Sequence, residues 1–183
     1  MDNALAYAET LERNANYCRE LAQSWKEVCK GNNSTEVFSV LDAVQKVKAD
    51  IFFDDENIIV EGDSSLSVSG SITELPRLFQ NLIRNGLEAK NEDYVEEVSV
   101  HVKIEAADGE AIVSVTDNGC GMSQEVCQQM QQGNFTTKGD KGTGLGFIIC
   151  RRIVEAHDGT ISVNSEEGTG TTITFSLKTW TPN

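Results

Sequence analysis

The segment from Asp117 to Gly146 constrains this chain more than any other. It reads D-N-G-C-G-M, a short variable stretch, F-T-T-K and then G-T-G-L-G. In A-I-V-S-V-T-D, Ala111, Val113, Val115 and Asp117 fall on one strand face by period-two alternation. That face is otherwise apolar, so Asp117 arrives at the edge of a core, where a carboxylate needs a hydrogen-bonding partner. An adenine amino group is a suitable donor. Gly119 and Gly121 permit positive φ and a close backbone approach to a flat ring. Downstream, Gly142, Gly144 and Gly146 leave backbone N–H groups uncovered at a helix start, with Thr143 as a cap. Such a terminus attracts phosphate through its free donors and its dipole. Lys138 and Lys141 add point charges beside it. Either glycine cluster alone reads as an ordinary turn; the ordered succession reads as a nucleotide site.

Charge limits the partners. The chain carries 29 acids against 15 bases, a net charge of −14, which argues against nucleic acid and makes local positives plus a divalent cation the means of holding phosphates. Five irregularly spaced cysteines without a Cys-x-x-Cys pair point to a reducing cytosol rather than a disulfide framework. No membrane-length apolar run appears, so no membrane contact is expected of this chain.

Two units are expected, residues 1–31 and 35–180. In the first, Ala4, Ala8, Leu11, Ala15, Cys18, Ala22, Trp25 and Cys29 recur at spacings of four and three, the seam of a helix that packs in a bundle. In the second, a strand near Glu36–Phe38, a helix over Ser39–Lys48 and strands near Ile58–Glu61 and Leu66–Ser69 come first. Ser71-Ile72-Thr73-Glu74 is a capping box for a helix reaching about Lys90, with Pro76 deep in its first turn. Leu75, Leu78, Phe79, Leu82, Gly86 and Ala89 give that helix its core face, flanked by Asn81 and Asn85. Neutral amide oxygens beside a core are acceptable hard ligands for Mg²⁺ bound to phosphate. Strands Val98–Ile104 and Ala111–Thr116 follow, then a helix capped by Ser123, a lid over 133–141, the glycine-rich helix, and a hairpin of Ile161–Asn164 with Thr171–Leu177. Thr171 shares the inward face of that last strand, which brings its hydroxyl towards Asp117. His101 faces outward as a surface histidine, and His157 sits in a turn, structural rather than catalytic.

L-F-Q-N-L-I-R-N-G-L-E-A, D-N-G-C-G-M, N-F-T-T-K, G-T-G-L-G-F and A-H-D-G-T-I…G-T-G-T-T-I-T-F, in that order, resemble the catalytic ATP-binding domain of two-component sensor histidine kinases. These belong to the GHKL superfamily, with gyrase, mismatch-repair and chaperone ATPases. The lid motif is similar to that of the nitrogen-regulation and dicarboxylate-sensing branch. The resemblance implies an α/β (α+β) two-layer sandwich of mixed sheet on helices, with ATP between the Asn-bearing helix and the lid. It implies that Asp117 binds the adenine amino group and that Gly119, Gly121 and Met122 shape the base pocket. Asn85, with Asn81, would hold Mg²⁺ and phosphate. Thr137, Lys138, Gly142, Thr143, Gly144, Leu145 and Gly146 would form the lid and phosphate cradle. Residues 2–30 would be the second helix of a dimerisation bundle, making the full-length kinase a homodimer with a response regulator as partner, cytoplasmic here even where the whole protein is membrane-anchored.

Two departures stand out. Cys120 occupies the glycine turn, a tolerated small residue. No histidine lies on a heptad helix in a phospho-acceptor setting, so the acceptor is expected on a preceding helix or on another subunit. A GHKL ATPase or serine kinase is the alternative, as is a regulatory module without phosphotransfer. The ATPases place a Glu where Asn81 stands, and Asn cannot serve as general base for water.

Overall fold

The computed structural model describes residues 35–90, 97–132 and 145–181. The expected bundle helix over 2–30 and most of the lid and phosphate cradle lie outside these residues. The described chain runs β1 (Thr35–Ser39), α1 (Val40–Phe52), β2 (Ile58–Gly62), β3 (Ser67–Ser71), α2 (Glu74–Glu88), β4 (Val100–Ala107), β5 (Glu110–Asp117), α3 (Gln124–Gln132), α4 (Leu145–Ala156), β6 (Ile161–Glu166) and β7 (Gly170–Lys178).

The main sheet has the order β2-β4-β5-β7-β6. Only β2 and β4 pair in parallel; the other neighbours are antiparallel. Alternation decides which face is covered. Val100, Val102 and Ile104 of β4, Ala111, Val113 and Val115 of β5, and Ile173, Phe175 and Leu177 of β7 are all buried. The intervening Lys103, Glu105, Thr116, Ser162 and Asn164 are exposed. A sheet with one apolar and one polar face forms two layers, with helices on one side and water on the other. The β4–β5 loop is Asp108-Gly109, both at positive φ (50° and 79°), the backbone that a tight two-residue hairpin demands.

On the covered face, α2 buries Leu75, Leu78, Phe79, Leu82, Ile83 and Gly86, and Phe79 meets Phe175 of β7 at 5.9 Å between ring centroids. Pro76 costs nothing at the third helical position, because the first-turn N–H groups have no intrahelical acceptor. The N-cap of α2 is Thr73, whose side chain makes no capping bond; one half of the expected capping box forms upstream of it, where Ser71 Oγ accepts the Glu74 N–H at 3.2 Å while the Ser71 N–H donates to His157 Nε2 at 3.1 Å. Helix α1, capped by Ser39, buries Val40, Val44 and Val47 and runs one turn past Lys48, because Ile51 and Phe52 also pack on the core. It stops where Phe53 and Asp54 take positive φ. A small second sheet pairs β1 with β3, and the tail after β7 joins it through a Val68–Thr179 bridge.

Candidate functional site

Strand β5 delivers Asp117 between Val100 of β4 and Thr171 of β7. Its Oδ1 accepts the Gly119 N–H at 2.9 Å. Burial pushes the carboxyl above the usual carboxylate range, and the N–H groups of Gly119 and Thr171 pull it partly back. The result is a half-buried acid at the end of β5 with acceptor capacity to spare. Helix α2 passes close by: a Cβ at Gly86 would stand 2.6 Å from Val100 Cγ2 and 3.3 Å from Asp117 Cβ.

The turn after Asp117 is clamped on both sides. The Cys120 N–H donates to the Ala89 carbonyl at 2.8 Å, and the Cys120 carbonyl accepts the Gly168 N–H at 2.7 Å. A Cβ at Gly119 would fall 2.1 Å from the Ala89 oxygen, and one at Gly121 1.9 Å from the Glu166 oxygen. Only Gly121 of the pair has positive φ, at 62°. Both glycines therefore have a reason within the protein, close packing against the end of α2 and the β6–β7 hairpin, besides the ring approach expected from sequence. Met122 follows, half-buried against the core. Thr171 is buried opposite Asp117, but its Oγ1 pairs with Ser165 Oγ at 2.9 Å, so it meets the aspartate through its backbone rather than its hydroxyl.

Helices α2 and α4 lie side by side and bring the amide residues to the glycine-rich helix start. Asn85 is half-buried and lies beside Gly146, where a Cβ would be in ordinary contact with its amide, 3.4 Å from Nδ2. Among the described residues, the Asn85 side chain has no hydrogen-bond partner. Asn81 has one, the Cys150 thiol of α4. That thiol is buried, which pushes it up to about 12 and makes it inert at neutral pH. Leu145 opens α4. Thr137, Lys138, Gly142, Thr143 and Gly144 lie outside the described residues.

Three features escaped the sequence reading. Gly170, at φ 134°, leaves room for the Asp117 carbonyl, which a Cβ would approach to 2.0 Å. Arg151 of α4 donates to the Gln131 carbonyl in the last turn of α3 and lies 5.4 Å from the Phe147 ring centroid, so it ties the two helices flanking 133–144. His157 holds the start of α2. The glycine was visible in G-T-G-T; the other two have no local signal. His101, half-exposed on the outer sheet face, lies 3.1 Å from Glu61 Oε1 of the neighbouring strand.

The family of histidine kinase-, DNA gyrase B- and HSP90-like ATPases matches residues 70–181. The chain belongs to this family. Sporulation kinase C of Bacillus subtilis is 36% identical over 118 residues, 62% of this chain and 26% of the relative. Sensor histidine kinase ZraS of Klebsiella oxytoca is 41% identical over 103 residues, 56% of this chain and 21% of that one. The chain thus spans 14% to 28% of the length of the curated relatives it matches. The nucleotide-free catalytic domain of histidine kinase ThkA superposes with a TM-score of 0.65 at 26% identity, over 81% of this chain and 99% of that one. As a member, the chain carries an ATP-binding domain of the sensor histidine kinase type, with the mixed five-stranded sheet and helical layer of that fold. No helix among the described residues is long and apolar enough to cross a membrane.

Proposed function

We propose that this domain binds Mg²⁺–ATP and passes the γ-phosphoryl group to a histidine outside the described residues, as the donor half of a two-component kinase. The observation that carries this reading is Asp117, a half-buried acid at a sheet end whose partners among the described residues are backbone N–H groups. The adenine amino group supplies the missing donor. The open amide of Asn85 and the start of α4 lie beside it, fit for phosphate and its cation. Among the described residues no three His, Cys, Asp or Glu side chains cluster, so Mg²⁺ would rest on the Asn85 amide oxygen, with Asn81 adjacent, and on phosphate oxygens. The residues at 137–138 and 142–146 close the cradle in this reading. Neither His101, on the outer sheet face 3.1 Å from Glu61, nor His157, bonded through both nitrogens, is available as acceptor.

Phosphoryl transfer is mostly positioning and charge stabilisation, so a donor without an aligned acceptor turns over slowly. Asn81 in place of a general base disfavours the ATPase alternative. A homodimer through the N-terminal segment and a response regulator as the final acceptor complete the proposal, with a cytoplasmic location. Calorimetric titration tests the nucleotide site. Asp117→Asn breaks a charge-assisted hydrogen bond worth about 1.5–3 kcal/mol, roughly a ten- to hundredfold loss of ATP affinity. Equal affinities would remove the adenine assignment. Radiolabelled ATP with a histidine-bearing helix in trans should give acid-labile, alkali-stable label that Asn85→Ala abolishes; phosphate release insensitive to Asn85→Ala would favour the ATPase.

A further inference from the structure

His157 is wired in a way that a turn residue does not require. Its Nδ1 lies 2.7 Å from the Ile153 carbonyl, which can only accept, so Nδ1 carries the proton. Its Nε2 lies 3.1 Å from the Ser71 N–H, which can only donate, so Nε2 offers its lone pair. The two partners fix one neutral tautomer. They also join the last turn of α4 to the residue whose Oγ accepts the first N–H of α2, since Ser71 Oγ holds the Glu74 N–H. Gly70 makes the space: a Cβ there would come 2.6 Å from Leu75 Cδ1 of α2 and 2.9 Å from the imidazole Cδ2 and Nε2.

Three contacts define how α4 lies on α2. His157 meets Ser71 at one end, Cys150 meets Leu78 and Asn81 in the middle, and Gly146 meets Asn85 at the other. The helices are therefore antiparallel, and the imidazole sits about 16 Å along α4 from Gly146. Apolar packing along the pair tolerates small axial slips, whereas two directed hydrogen bonds do not. The geometry points to His157 as a positioning residue: it sets the axial register of α4 on α2, and so the distance between the backbone donors at the start of α4 and the Asn85 amide. This rests on the nucleotide reading above. It concerns the phosphate end of the ligand and leaves the base end, at Asp117 on β5, untouched.

The test compares ATP with adenosine, by calorimetry, on variants whose fold is checked by circular dichroism. His157→Asn keeps a donor near the Nδ1 position but falls short of Ser71. His157→Gln places an acceptor near the Nε2 position and can take the Ser71 N–H. The expected result for His157→Asn is a loss of about tenfold in ATP affinity, one charge-assisted contact, with adenosine affinity unchanged and ATP binding restored in His157→Gln. Gly70→Ala crowds the Nε2 edge of the ring, and Leu75 of α2 with it, and should reproduce the ATP-selective loss if His157→Asn does not fold. A parallel loss for ATP and adenosine, unchanged ATP affinity in a folded His157→Asn, or failure of both variants to fold would each overturn the positioning role. Wild-type protein that binds neither ligand would instead overturn the nucleotide reading on which it rests.

Discussion

Gly121→Ala is the sharpest perturbation of the turn below Asp117, and Gly109→Ala is its control. Both glycines have positive φ, 62° at Gly121 and 79° at Gly109, but a Cβ at Gly109 meets nothing within 4 Å. Alanine at 109 therefore pays only the left-handed backbone penalty, partly offset by a stiffer unfolded chain, a net of about 1 kcal/mol. Alanine at 121 pays the same and also drives its Cβ to 1.9 Å from the Glu166 oxygen and 3.0 Å from the Gly170 oxygen. Relief requires the β6–β7 hairpin to move by more than an ångström, against strand pairing and the Gly168–Cys120 hydrogen bond. Overpacking of this kind costs about 1–3 kcal/mol and the strained hydrogen bond about 1 more, so with the backbone penalty Gly121→Ala should lose roughly 3–5 kcal/mol. Urea denaturation without nucleotide measures both. If Gly121→Ala proves no less stable than Gly109→Ala yet cannot bind ATP, the glycine serves the ligand alone and the packing argument fails.

Three further outcomes are expected. The native protein holds the Asp117 proton more tightly than the unfolded chain does, so this group's contribution to stability falls as pH rises from the unfolded value of 3.8 through the raised native one. Nucleotide-free Asp117→Asn should therefore match or exceed wild type in stability at neutral pH, with the advantage fading in acid; a large loss at neutral pH in thermal unfolding would contradict the burial cost. Arg151→Met removes the hydrogen bond to Gln131 and should cost about 1 kcal/mol in urea denaturation, with Arg151→Lys between the two; an unchanged midpoint would mean that α3 and α4 are held without it. Iodoacetamide on the native protein should modify Cys120 and spare Cys150, whose thiol is pushed up to about 12, as read by peptide mass spectrometry.

Period-two runs in β4, β5 and β7 and the helical repeat of α2 made the layers legible, because each element buries one face. The capping box marked the start of α2, and Asp117 stood out as one acid on an apolar face. Neighbours were less legible than faces. The alternation of Ile161–Asn164 and Thr171–Leu177 shows which side is buried but not that Thr171 Oγ1 turns to Ser165. The Ser71 N–H finds its acceptor 86 residues away, a distance no local pattern encodes. In sequence the glycines of the turn suggest room for a ligand, whereas their nearest neighbours in the fold are backbone atoms of Ala89 and Glu166. Steric need of that kind appears only once the hairpin has folded against the helix end.

The thiol in the clamped turn offers an experimental handle. Cys120 is exposed, while Cys127 and Cys150 are buried, and its own N–H and carbonyl are pinned from opposite sides by Ala89 and Gly168. A fluorophore attached there, with Cys18 and Cys29 replaced by serine, would ride on a backbone that cannot drift. Changes in its emission would then report what enters the space beside Asp117 rather than loop motion, which turns an irregularity of the glycine motif into an optical gauge of site occupancy.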